Sequence, residues 1–86
     1  MGERYIKEEN AKEVVYEEGI LGDIKIGELY ENLDGSKETR NFFGPEVKVE
    51  LPSIFSLGRK GEIDGQKGEF RKDLLDKNQT FKPGRS

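Results

Sequence analysis

Residues 42–57, FFGPEVKVELPSIFSL, form the most continuous apolar signal in the 86-residue chain. In the middle of this stretch, three apolar residues alternate with charged ones over residues 46–51. A two-residue period places the apolar side chains on one face of a strand. Pro45 and Pro52 bracket the run, and a proline cannot donate to a sheet ladder. The pattern therefore predicts a short central strand whose inward side chains are Val47, Val49 and Leu51.

Two segments upstream are predicted to contribute further strands. The run RYIKEE at Arg4–Glu9 predicts a short strand. Residues 11–18 fit either a helix that stops at Gly19 or a strand. The adjacent Val14, Val15 and Tyr16 favour the strand, because β-branched and aromatic side chains are poor helix formers.

Residues 20–33, ILGDIKIGELYENL, carry a helical pattern. Asp23 is suited to cap a helix, and Ile26, Leu29, Tyr30 and Leu33 follow at i, i+3, i+4 and i+7. Gly27 weakens such a helix by about 1 kcal/mol relative to Ala. A competing interpretation makes Ile24 and Ile26 a strand that turns helical only after Gly27.

The remaining segments are predicted to be less regular. We expect a polar loop over residues 34–41, and over residues 53–57 either a second short strand or a continuation of the central strand after a bend at Pro52. Residues 58–68, GRKGEIDGQKG, hold four glycines and one large apolar residue, which predicts a mobile loop or a wide hairpin connection. A short helix is expected over residues 69–76, followed by a loose tail over residues 78–86.

Together these elements predict an α+β fold, with a small antiparallel sheet, one short helix near residues 24–33 and a disordered C-terminal tail. We expect a single domain. Residues 1–57 are its main folded core, and residues 58–86 are its Gly-rich loop, short helix and flexible basic tail. Leu, Ile, Val and Phe number 22 of the 86 residues, and no cysteine is present to form a disulfide. A homodimer that buries more apolar area is therefore a further expectation.

The composition excludes several common catalytic arrangements. Without histidine or cysteine, the Ser-His, Cys-His and zinc-hydrolase arrangements are missing, and no phosphate-binding glycine loop occurs. Glu46-Val47-Lys48 has the acid-x-Lys spacing of magnesium-dependent nucleases, and residues 62–65 contain a fragment of a calcium loop. In a chain with 38% charged residues, such short matches arise readily by chance. We therefore expect no enzymatic activity, no cofactor and no metal.

The sequence also predicts the location of the protein. The first ten residues contain no apolar h-region of a secretory signal. No apolar run approaches the roughly 20 residues that span a bilayer. The absence of cysteine fits a reducing compartment. We expect a cytoplasmic protein with no membrane contact.

Charge is distributed unevenly along the chain. Residues 1–50 carry 13 acidic and 7 basic side chains, whereas residues 51–86 carry 5 acidic and 8 basic ones. Glu9, Glu13 and Glu17 recur every four residues, which places them on one face of a helix or of a strand. A row of carboxylates fits a basic groove that evolved for nucleic acid. The predicted partner-binding residues are Glu8, Glu9, Glu13, Glu17, Glu18, Asp23, Glu28, Glu31 and Asp34.

The basic C-terminal region supports an alternative function. Its cations are Arg59, Lys60, Lys67, Arg71, Lys72, Lys77, Lys82 and Arg85, and Phe55, Phe70 and Phe81 lie among them. Cations that track phosphates and aromatic rings that stack on bases are the ingredients of single-strand binding. Acidic residues, among them Asp64, Glu69, Asp73 and Asp76, interrupt this positive region, so direct binding of nucleic acid is the less favoured prediction.

In its overall character the chain resembles the small host-takeover proteins of bacteriophages and mobile elements, which are short, free of cysteine, rich in charge and poor in motifs. Some of these proteins are acidic DNA mimics that inhibit the nucleoid protein HU or restriction and CRISPR nucleases. The resemblance implies a non-enzymatic inhibitor in the cytoplasm of a bacterial host. Such an inhibitor would occlude the site of a basic nucleic-acid-binding protein. The resemblance assigns no role to any single residue here, and the basic C-terminal region departs from a pure DNA mimic.

Overall fold

The structure is a computed structural model that describes residues 2–40, 43–51, 58–72 and 78–84. Within these ranges the chain forms eight strands and no helix. The strands are β1 (Arg4–Glu9), β2 (Lys12–Glu17), β3 (Ile24–Glu31), β4 (Lys37–Thr39), β5 (Val47–Val49), β6 (Gly58–Ile63), β7 (Gln66–Lys72) and β8 (Gln79–Pro83).

Each strand pairs antiparallel with the next one along the chain, and β8 pairs with β1 to close a barrel. The closing seam joins Tyr5 to Thr80 and Ile6 to Gln79. Closure removes the unpaired strand edges that an open sheet would expose. The α+β prediction is therefore wrong, because the described residues form an all-β barrel. The predictions of strands at residues 4–9 and 11–18 are confirmed by β1 and β2.

The helix expected near residues 24–33 is strand β3 instead. Leu29 and Gly27 are buried at a two-residue spacing, whereas Leu33 of the expected helical face is fully exposed. β3 pairs with β2 on one side and with β4 on the other. The pairing with β2 over residues 24–28 and with β4 over residues 29–31 gives the backbone of β3 sheet partners along its length and overrides a local helical preference. Ile26 follows a register shift in the β2–β3 pairing and packs against the core.

The C-terminal third is also more regular than predicted. Residues 58–68 belong to β6, a two-residue turn and β7, and β7 extends to Lys72 where a helix was expected. The expected loose tail contains β8, which pairs with two strands. The loop predicted for residues 34–41 contains the short strand β4. The strand predicted at residues 53–57 and the end of the helix predicted at residues 69–76 lie outside the described residues.

Two tight turns set the register of their hairpins. Asn10 and Ala11 join β1 to β2, and Asp64 and Gly65 join β6 to β7. All four residues have positive φ, at 49°, 65°, 53° and 85° in chain order. Positive φ at both central residues is the requirement of a type I′ hairpin turn, and Asp-Gly is a typical sequence for it.

The barrel interior is filled by Ile6, Val15, Leu29, Val47, Val49, Ile63, Phe70 and Phe81. Val47 and Val49 are inward as predicted, but Leu51 lies beyond the end of β5 and is 59% exposed. Gly61 and Gly68 lie directly opposite each other in the β6–β7 hairpin. A Cβ on either glycine would meet a phenyl ring, that of Phe70 at 2.8 Å or that of Phe81 at 2.6 Å. The two glycines therefore make room for the largest core side chains.

Candidate functional site

The two ends of the barrel differ in what they carry. The connections β2–β3, β4–β5 and β6–β7 lie at the same end as residues 2–3 and 84, and we call this the terminus end. The opposite end carries the connections β1–β2 and β3–β4. Glu13, Lys37 and Arg59, near the starts of β2, β4 and β6, also lie there. We call it the triad end after these three side chains.

Glu13 is the centre of an ion cluster inside the barrel. Its carboxylate lies 2.5 Å from Lys37 Nζ and 3.0 Å from Arg59 Nη1. The strands β2, β4 and β6 are not neighbours in the sheet, so these contacts cross the interior. The side chains of Glu13 and Arg59 are each 14% exposed, and that of Lys37 is 25% exposed. Glu13 and Arg59 therefore contribute to the packing of the barrel.

The cluster perturbs the ionisation of Glu13. Burial alone would raise the pKa of this carboxyl group. The hydrogen bond from Lys37 and the positive charge of Arg59 outweigh burial, so the net effect is a pKa below the ordinary value. Glu13 is consequently ionised at neutral pH and forms ion pairs with Lys37 and Arg59.

The nine predicted partner-binding acids do not form one surface. Glu9 lies on β1, across a turn from Glu13 and Glu17 on β2, so the three do not make the row that their spacing predicted. Glu17, Glu18 and Asp23 lie at or near the terminus end. Glu8, Glu9, Glu31 and Asp34 lie towards the triad end, and Glu28 lies on the side of the barrel.

Several of these acids are held by neighbouring groups. Glu17 accepts a hydrogen bond from Arg4 Nε at 2.9 Å, and Glu28 pairs with Lys25 Nζ at 2.8 Å. The Oδ1 atom of Asp34 accepts from the backbone N–H of Ser36 at 2.9 Å. Within the described ranges, Glu8 and Glu31 make no side-chain hydrogen bond or ion pair.

The tyrosine side chains donate to three carboxylates, of which Glu28 is also paired with Lys25. Tyr16 Oη donates to Glu9 at 2.7 Å, and Tyr30 Oη donates to Glu28 at 3.5 Å. Tyr5 Oη donates to Asp23 in the β2–β3 connection. Burial and this carboxylate together raise the pKa of Tyr5. The contact ties the β2–β3 connection to β1 and helps to fix its position.

The terminus end is acidic. Its connections and chain ends, in the part of the chain that the structure describes, carry five carboxylates, Glu3, Glu18, Asp23, Glu46 and Asp64. They carry one cation, Arg40, which stacks over the Tyr30 ring at 4.9 Å. The corresponding connections at the triad end carry only Asp34 and Glu50 among their described residues. These described connections and chain ends therefore carry a net charge of −4 at the terminus end and −2 at the triad end.

Large apolar side chains project from the same end. Ile20 and Leu21 are each 102% exposed and Phe43 is 97% exposed. The first two form the tip of a turn in which Gly22 N–H donates to Gly19 C=O at 3.3 Å. Sequence reasoning did not single out these residues, although the glycines on either side of Ile20-Leu21 signal a turn. Single exposed apolar side chains are common on protein surfaces, but three of them on the connections at one end of the barrel mark a candidate interaction site.

A groove of about 470 Å³ lies along β4 to β7, next to the turn residues Asn32 and Ser36. Its charged lining residues are Lys37, Lys48, Lys60, Lys67, Glu38, Glu50 and Glu62. Lys48 is paired with Glu46 at 3.1 Å, and Lys37 is committed to Glu13. The mixed lining gives no clear preference for the charge of a ligand.

The basic C-terminal region divides between the interior and the surface. Phe70 and Phe81 are core residues, with their rings 5.0 Å apart, so they are not exposed for stacking on bases. Arg59 is paired with Glu13 inside the barrel. The cations exposed on β6 to β8 are Lys60, Lys67, Arg71, Lys72 and Lys82. Lys77 and Arg85 lie outside the described residues.

Two features are absent from the part of the chain that the structure describes. No group of three or more Asp, Glu, His or Cys side chains is arranged to hold a metal ion. No helix in these ranges has the length and hydrophobicity needed to cross a membrane.

Comparisons with protein-family models, with curated proteins and with solved structures found no match to this chain. The assignment of a function therefore depends on the chemistry of the surface.

Proposed function

We propose that this chain is a small non-enzymatic binding protein that acts on a basic partner protein through its acidic terminus end. The proposed partner is a nucleic-acid-binding protein, and the proposed setting is the cytoplasm of a bacterial host. The observation that carries the proposal is the imbalance of five carboxylates against one guanidinium among the described residues of the connections and chain ends here. Glu18 and Asp23 belong both to this surface and to the nine acids predicted from sequence.

The proposed mechanism is occlusion. A basic groove attracts any surface that presents carboxylates at short range, and complementary charge speeds the encounter. A bound barrel about 30 Å across would exclude nucleic acid from the groove that it covers. No bond is made or broken, so the effect is reversible and weakens as salt screens the charges.

The proposal is tested by neutralising exposed acids at one end only. A triple variant, Glu3→Gln, Glu46→Gln and Asp64→Asn, changes the net charge from −3 to 0. These three residues are all exposed. We expect capture of basic proteins from a nuclease-treated bacterial lysate to fall about tenfold at low salt, since each exposed charge contributes up to about 0.5 kcal/mol.

The matched control neutralises three exposed acids outside the terminus end. Glu8→Gln, Glu31→Gln and Glu50→Gln together also bring the net charge to 0. Capture by this variant should stay within about twofold of capture by the unmodified chain. Its net charge equals that of the triple variant, so a difference between the two variants reports on the position of the charges. Equal losses in both variants would contradict a localised site.

The second candidate function is binding of nucleic acid by the outer side of β6 to β8. Lys60, Lys67, Arg71 and Lys82 favour it, although Glu62 and Glu69 lie on the same strands. This alternative predicts direct binding to single-stranded oligonucleotides, lost when Lys60, Lys67 and Lys82 are replaced by Gln. It also predicts that captured proteins are released when nucleic acid in the lysate is digested.

A further inference from the structure

We infer that the apolar tips at the terminus end accept a basic amphipathic segment of the partner protein, with apolar side chains against the tips and Lys or Arg against the surrounding carboxylates. This inference rests on the proposed function and specifies the chemistry of its partner. It begins from Ile20, Leu21 and Phe43, which are fully exposed on two separate connections.

The tip that carries Ile20 and Leu21 is held by two hydrogen bonds of the β2–β3 connection. Asp23 accepts a hydrogen bond from Tyr5, and the turn that carries Ile20 and Leu21 is closed by the Gly22–Gly19 hydrogen bond. Because the backbone of this turn is already held, covering Ile20 and Leu21 orders their side chains but costs little backbone entropy, and more of the burial contributes to affinity.

The charges decide which occupant fits. Two copies of this chain meeting tip to tip would bring Glu18, Asp23 and Glu46 towards the same residues of the partner copy, and juxtaposed like charges are unfavourable. A bilayer surface with anionic lipids would be repelled for the same reason. A segment that presents Lys or Arg around its apolar side chains matches both the apolar tips and the carboxylates of the terminus end.

The spacing of the two connections indicates the length of the segment. The β2–β3 and β4–β5 hairpins are separated by two strand spacings, or about 10 Å. Residues i and i+7 on one face of a helix lie about 10.5 Å apart along its axis. One face of a helix of two to three turns is therefore able to contact both tips.

Three synthetic peptides test this chemistry by fluorescence anisotropy on the full chain. The first is an 18-residue amphipathic peptide of Leu and Lys, the second replaces each Leu by Ser, and the third replaces each Lys by Glu. We expect the Leu/Lys peptide to bind at least about tenfold more tightly than the Ser/Lys peptide, and the Leu/Glu peptide not to bind.

The chain offers a matched pair of leucine variants. Leu21→Ser at the terminus end should weaken Leu/Lys binding about five- to tenfold, as should Phe43→Ser. Leu33→Ser, at an equally exposed position towards the triad end, should leave binding within about twofold. All three positions are exposed, so circular dichroism and melting temperature should be unchanged and serve as controls for folding.

The outcomes separate this inference from the proposed function. Equal binding of the Leu/Lys and Ser/Lys peptides, both weakened by the triple acid variant, would overturn the inference and leave the function standing. Binding of the Leu/Glu peptide as tight as that of the Leu/Lys peptide would overturn both. Concentration-dependent dimerisation lost in Leu21→Ser, or binding to phosphatidylserine vesicles lost in that variant, would replace the proposed occupant by a second copy or by a membrane.

Discussion

Ala11 holds an unfavourable backbone conformation in the β1–β2 turn, where its φ is 65°. For an L-residue with a Cβ, the left-handed region is unfavourable by roughly 1–2 kcal/mol. Ala11→Gly removes this strain, but it also raises the conformational entropy of the unfolded chain, which offsets part of the gain in stability. We expect the free energy of unfolding to rise by about 0.5–1 kcal/mol in urea denaturation. Ala11→Val should lower it, and the same sign for both variants would contradict the turn geometry.

Glu13 links stability to pH. Its folded pKa lies below the ordinary value of 4.5, so its contribution to stability is complete above about pH 4.5 and is lost as pH falls through the lower folded value. Glu13→Gln removes this contribution, so its stability should vary less with pH in the acidic range. Urea denaturation of both proteins from pH 7 down to pH 3 measures the difference.

The same substitution leaves Lys37 and Arg59 in the interior without their carboxylate. We expect Glu13→Gln to lower the free energy of unfolding at pH 7 by about 2–3 kcal/mol, as for a largely buried ion pair that loses one partner. Glu31→Gln, at an exposed acid, should change it by less than about 0.5 kcal/mol. A similar effect of the two substitutions would contradict the interior position of Glu13.

At the scale of elements, the β6–β7 hairpin depends on two glycines. A Cβ at Gly61 would lie 2.7 Å from Lys48 O, and one at Gly68 would lie 2.6 Å from Lys82 O. Since each would also meet a core phenyl ring, we expect Gly61→Ala and Gly68→Ala each to lower the melting temperature, with a loss of about 1–3 kcal/mol. Lys60→Ala on the same hairpin should have little effect, because this side chain is exposed.

The hairpin also marks where sequence reasoning was incomplete. Asp64-Gly65 is a typical type I′ turn sequence, but the four glycines of residues 58–68 predicted only a mobile loop or a wide hairpin connection. Gly61 and Gly68 are instead core positions, filled by the rings of Phe70 and Phe81. A sequence read locally does not reveal that two glycines face each other across a hairpin and are covered by distant side chains.

The prediction for β3 was wrong for a related reason. Its apolar residues satisfy a helical spacing and, through Gly27 and Leu29, a strand spacing as well. Pairing with β2 and β4 selects the strand over the helix. The sequence of β4 is polar, so it does not show that β4 is a strand partner of β3. By contrast, Val47 and Val49 were placed correctly because their alternation is local. The excess of acidic residues in the N-terminal half was evident from sequence. How these residues divide between the two ends of the barrel depends on the order and direction of the strands.

For the whole molecule, closure by β8 is the feature that distinguishes a barrel from a core with a loose tail. β8 pairs with β7 and β1 and contributes Phe81 to the interior. Deletion of residues 78–86 should therefore abolish the cooperative thermal transition, because it opens the sheet and leaves a cavity. A truncated chain that retains its near-native melting temperature would contradict the closed barrel.

The most direct test of the proposed surface is a map of amide chemical-shift changes when the Leu/Lys peptide is titrated into the ¹⁵N-labelled chain. We expect the largest changes in residues 18–23, 43–46 and 64–65, which form the connections of the terminus end. Residues 32–36, on the opposite connection β3–β4, should change little. Changes centred on residues 32–36 or on the outer side of β6 to β8 would contradict the assignment of partner binding to the terminus end.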